Sequence, residues 1–131
     1  MAGLIFFYLG LSLLIIHEMD AIRCKEWRIF PGLSMLNDSW GYKIFLFAHI
    51  PLFLLLFIGL SGPGTNEPLI NGLDIFFMVH VGLHILFLTH KRNEFKDWIS
   101  WTIILGAGLF GLLDLIVKLQ MDKSAPKPHF F

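Results

Sequence analysis

Cysteine is nearly absent. The chain has one, Cys24, which excludes an internal disulfide and any zinc site built on paired thiolates. Charge is scarce as well: charged side chains make up 15% of the 131 residues and hydrophobic ones 56%. Soluble domains hold roughly 45 to 50% apolar residues, so this composition points to a bilayer as solvent. Neither sign of charge is in excess, because ten basic residues balance ten acidic ones. Bulk charge therefore gives no case for nucleic acid or an acidic partner. The first apolar run has no basic residue before it and no small-x-small cleavage site after it, so it reads as a retained membrane helix and not a secretory signal. Cys24 lies in a basic segment and reads as an ordinary free thiol on the reducing side of the membrane.

What the chain does have is four apolar runs, each near the ~20 residues that cross a hydrocarbon core. They predict helices over about 2–22, 42–61, 71–89 and 98–118. The fold class is all-α, an integral membrane four-helix bundle forming one domain over 1–121, with a frayed, flexible tail over 122–131. The segment from Arg23 to Gly41 interleaves Trp27, Ile29, Phe30 and Leu33 with basic residues. It reads either as a stretch lying along the membrane surface or as a solvated loop with aromatic anchors. Within it, Asn37, Asp38 and Ser39 carry helix-start chemistry. Pro51 interrupts the second run two residues after His49 and leaves the Phe47 carbonyl without its helical donor. Asn71 and Asp74 have the spacing of a capping box at the start of the third run. In the fourth, Gly106, Ala107, Gly108 and Gly111 offer a small-residue surface for close packing of a neighbouring helix, in the same chain or in a second copy. Asp114 and Lys118 form an i,i+4 pair whose lysine is expected to snorkel to the outer headgroups.

Seven of the ten basic residues, Arg23, Lys25, Arg28, Lys43, Lys91, Arg92 and Lys96, fall on one side, and Trp27, Trp40, Trp98 and Trp101 cluster at the same interface. The positive-inside rule then places the long loops in the cytoplasm and both termini outside, in a multi-pass protein of the inner (plasma) membrane.

Histidines recur at one depth. His17 is six residues from Arg23, His49 six from Lys43 and His84 six from His90, each roughly 9 Å inside the basic edge at the helical rise. His80 lies one turn deeper than His84 on the same face, and Asp20 one turn shallower than His17. Ionisable groups at such depth mark functional sites unless they are satisfied by partners. Neutral nitrogen donors with a carboxylate suit Zn, Fe or Mn better than Ca or Mg. The expected metal ligands are His17, Asp20, His49, His80 and His84. Glu18 is rotated about 100° from His17 and is expected as a supporting partner or general base. Glu26 and Glu94 read as solvated loop charge or as ion partners of the adjacent basic residues.

Three functions follow as expectations. The first is a metal-dependent membrane enzyme acting on a lipid or other apolar substrate. The second is a proton or metal-ion transporter, and the third a scaffold subunit that meets a partner through the small-residue face of the fourth helix. A first helix ending in His17-Glu18-Met19-Asp20-Ala21, then Glu26-Trp27-Arg28, a second-helix histidine and the pair His80 and His84 together resemble small bacterial four-span membrane proteins. The pattern is similar in style to the HXXEE-type family, with His-Glu-Met-Asp standing in the signature. The resemblance implies the four-span fold and no particular activity. His80 and His84 also share the H-x-x-x-H spacing of integral-membrane di-iron hydroxylases and desaturases, but the adjacent His-His pairs those enzymes need are missing.

Overall fold

The computed structural model describes residues 4–125. Four helices follow one another: α1 (Ile5–Arg23), α2 (Asp38–Leu60), α3 (Glu67–Leu86) and α4 (Trp98–Ser124). There is no strand among the described residues. All four helices are long and apolar enough to cross a membrane. The shortest, at 19 residues, spans about 28 Å.

Local chemistry sets the helix starts. Asn37 accepts a hydrogen bond from the Trp40 N–H and begins α2, as its residue type predicts. Asn66 does the same for Leu69 and, with Pro68 in the first turn, begins α3. Asn71 and Asp74 are therefore not a capping box. They lie a turn and more inside α3, where Asp74 is fully buried. Helix α4 continues to Ser124, past the expected end near 118. Of the expected tail, residues 126–131 lie outside the described ones.

Helices α1, α3 and α4 form the packed core. Phe7 and Phe77, neither exposed, stack with centroids 6.2 Å apart, beside Leu11, Leu14 and Ile70. The small residues of α4 are used inside the chain. A Cβ on Gly108 would meet Val81 Cγ2 at 2.5 Å, one on Gly111 the Asp74 carbonyl at 2.8 Å, and one on Gly106 Leu13 at 2.8 Å. That surface is thus the seat of α3 and α1.

Helix α2 stands apart, with only Gly41 and Phe45 buried along its length. It is held at one end by the segment after α1, which is more than a solvated loop because Trp27 and Ile29 are buried in it. Lys25 takes a left-handed conformation (φ 51°) that reverses the chain. The turn Glu26–Arg28 then folds back over the bundle end. Trp27 and Ile29 join Ala21, Phe45, Phe95 and Ile104 in a second buried cluster, and Trp27 donates to Asp38 at 3.3 Å while seated on Gly41.

Candidate metal centre

The fold brings His17, His80 and His84 together. Their ring centroids form a triangle with sides of 4.5, 4.8 and 4.6 Å. The i,i+4 spacing on α3 points the Nε2 atoms of His80 and His84 at each other, 3.2 Å apart. Helix α1 supplies His17 from the facing side, and Phe95, fully buried, packs against the rings of His17 and His84.

The fourth member is Glu26, from the reversed turn. Its carboxylate oxygens lie 3.8 Å from His17 Nε2 and 3.5 Å from His84 Nε2. One ligand atom from each of the four residues falls within 4.8 Å of every other. Four donors around a tetrahedral ion with bonds of 2.0–2.1 Å stand about 3.3 Å apart; the 3.2, 3.5 and 3.8 Å spacings are near that value, and the wider pairs, within 4.8 Å, would draw in around an ion. Burial alone would push the Glu26 carboxyl up, but the neighbouring imidazoles of His17 and His84 outweigh it and hold it well below the usual carboxylate range. Both ring nitrogens of His17 and Nδ1 of His80 are buried without a hydrogen-bond partner. Buried polar atoms without partners are uncommon in native interiors and call for an explanation such as a bound ion.

Asp20 and His49 are not part of this group. Asp20 turns toward α4, where it accepts from Arg23 Nε at 2.7 Å and from the Ser100 hydroxyl at 2.5 Å. The three-residue step from His17 rotates it off the α3 side of α1 and onto the α4 side. His49 pairs with Glu18 across the α1–α2 seam, Nε2 to Oε2 at 2.8 Å. Its Nδ1 lies 2.6 Å from the Phe45 carbonyl, an acceptor only, so Nδ1 donates there. The Glu18–His49 contact then encloses one proton between carboxylate and imidazole. Glu94 pairs with Arg28 at 3.1 Å, as an ion partner of a basic neighbour.

Glu18, Glu26, His49, His80 and His84 line a cavity of about 630 Å³ between α2 and α3. The rest of its lining is apolar, with Ala48 and Leu52 from α2, Phe76 and Leu83 from α3, and Phe30 and Leu33 from the loop after α1.

A second polar cluster sits near the other end of the bundle. Lys118 does not snorkel outward. Its Nζ lies 2.5 Å from Asp114, 3.3 Å from Asp74 and 2.9 Å from the Asn71 side chain. Asp114 also accepts the Phe7 N–H at 3.3 Å, which satisfies a first-turn donor of α1 that has no cap of its own.

Fold and site together define an all-helical protein with four membrane-length helices and a buried His/Glu cluster open to an apolar cavity. The family model for DUF6713, a family of unknown function, matches residues 4–121, and the chain belongs to that family. No curated protein and no solved structure matches it.

Proposed function

We propose that this protein is a multi-pass enzyme of the plasma membrane in which His17, Glu26, His80 and His84 hold Zn, Fe or Mn, and which acts on a lipid or other apolar substrate. The observation that carries the reading is the meeting of three imidazoles and a carboxylate, from α1, α3 and the reversed turn, with both ring nitrogens of the buried His17 left without a hydrogen-bond partner. Three nitrogen donors and one carboxylate match the borderline preferences of those ions. Three of the four candidate ligands line the cavity, so a held ion keeps an open side toward a bound molecule, as catalytic sites require. Such an ion supplies Lewis-acid polarisation of a substrate oxygen. Glu18 and His49, facing the same cavity, place a shared proton within reach of that molecule. The basic loops and the tryptophans near them favour a cytoplasmic site, with both termini outside.

Transport has less support. Between the histidine level and the Asp74–Asp114–Lys118 level, the buried residues of the described helices are Gly10, Leu11 and Leu14 on α1, Phe77 on α3, and Ile104, Ala107, Gly108 and Gly111 on α4, with no ionisable group among them. A scaffold role through the small residues of α4 loses its surface to α1 and α3.

Elemental analysis of detergent-purified protein beside a His17→Ala, His84→Ala double variant tests the proposal. Stoichiometric Zn, Fe or Mn in the parent alone is expected. Equal, trace metal in both would overturn it.

A further inference from the structure

The cavity beside the histidines has a charge character that narrows what it can hold. Its polar wall carries two carboxylates, Glu18 and Glu26, and three imidazoles, and neither lysine nor arginine lines it. The nearby cations are committed elsewhere. Arg23 is paired with Asp20 and Asp97, and Arg28 with Asp38 and Glu94. An anionic headgroup placed here would face two carboxylates with no lysine or arginine to offset the loss of water. The charge of a divalent ion in the His/Glu cluster is already partly met by Glu26.

The same walls show how a ligand arrives. Leu52 on α2 is 56% exposed, and Phe76 and Leu83 on α3 are 43% and 42% exposed, although all three line the cavity. Leu52 and Phe76 lie well within helices of membrane-spanning length and Leu83 one turn from the end of α3, so the mouth opens sideways between α2 and α3, at the depth of acyl chains. Toward the basic loops the cavity is covered by Phe30, Pro31 and Leu33. At about 630 Å³ it is within the range of small-molecule sites.

We infer that the cavity takes an uncharged, single-chain amphiphile, an alcohol, aldehyde or ester, that enters laterally from the bilayer between α2 and α3. Its hydrogen-bonding end lies on the His/Glu wall and its chain against Leu52, Phe76 and Leu83. The inference rests on the proposed reading of the His/Glu cluster as the reactive end, and it replaces "lipid or apolar substrate" with a neutral head and a defined route. Glu18 offers a carboxylate oxygen that can accept from a hydroxyl, which a carboxylate or fully ionised phosphate has no proton to supply.

The test uses full-length protein in vesicles with two photoreactive probes, diazirine analogues of hexadecanol and of hexadecanoate, and maps adducts by peptide mass spectrometry. The alcohol should label α2 and α3 at the cavity at least about tenfold more than the carboxylate, a difference of about 1.4 kcal/mol or more. Ala48→Trp fills the cavity from the loosely packed α2 and should abolish that preference. Leu54→Trp, on a part of α2 outside the cavity wall, should leave it unchanged and shows that α2 tolerates a tryptophan. Equal or stronger labelling by the carboxylate overturns the inference, as does labelling that Ala48→Trp does not alter. Metal content is measured on the same samples. Selective labelling without stoichiometric metal supports the cavity assignment and overturns only the metal reading, whereas bound metal without selective labelling overturns the cavity assignment alone.

Discussion

The Nε2 atoms of His80 and His84 face each other at 3.2 Å, with Glu26 Oε1 3.5 Å from the second of them. Two imidazole nitrogens in that arrangement either share a single proton or bind one ion together. The carboxylate beside them, delivered by a turn that follows α1, distinguishes this site from a pair of helical histidines satisfying each other.

Glu26→Gln keeps the shape of the turn and removes the charge. Metal affinity should fall by more than the roughly 10- to 100-fold typical of losing a supporting residue. Asp20→Asn should leave metal content unchanged, because Asp20 serves Arg23 and Ser100. Competition titration with a chelating dye separates the two variants. Equal losses would return Asp20 to the ligand set.

The packing surface of α4 gives a second prediction. A methyl group on Gly111 would stand 2.8 Å from the Asp74 carbonyl, a backbone atom that cannot rotate away. Gly111→Ala should cost about 1–3 kcal/mol by overpacking and lower Tm in detergent. Gly72→Ala, with open space around the added atom, should not.

Lys118 stands between two buried carboxylates, Asp74 and Asp114. Lys118→Met should destabilise the protein by about 3–5 kcal/mol, the cost of leaving buried charge without its partner. Adding Asp74→Asn should recover part of that loss. Denaturant titration in mixed micelles measures both, and a silent Lys118→Met would show that the cluster does not hold α3 and α4 together.

Cys24 is 2% exposed, and burial, followed by the charge of Asp20, pushes its thiol up to about 11. The group stays protonated until the pH rises toward that value, so alkylation near pH 8 should be on the order of a hundredfold slower than for an unshifted thiol. Maleimide labelling should appear only after denaturation. Rapid labelling of the native protein would mean that the turn carrying Glu26 and Trp27 opens readily.

Much of this arrangement is legible in the amino-acid order. Apolar runs locate the four helices, and counting residues from the basic edge places His17 and His84 at a common level with His80 one turn deeper, three residues that the structure joins. The same count includes His49, but depth says nothing about azimuth, and His49 meets Glu18 one seam away. Asp20 is misplaced for the same reason, since a three-residue step can turn a side chain toward either of two neighbouring helices. Glu26 is hidden because no periodicity runs through the segment after α1. The available signal is Trp27 and Ile29 beside it, residues that a loop buries when it packs. Asp74 has a cap's spacing from Asn71, but Asn66 and Pro68 start the helix earlier and leave Asp74 in the interior for Lys118 to find.

X-ray absorption at the metal edge of the purified protein tests the central claim most directly. The account predicts a stoichiometric metal with a first shell of three imidazole nitrogens and carboxylate oxygen, at the roughly 2.0–2.2 Å expected if the ion is zinc, and loss of that shell in Glu26→Gln, His84→Ala protein. A sulfur-containing or all-oxygen shell, or no metal above background, would contradict it.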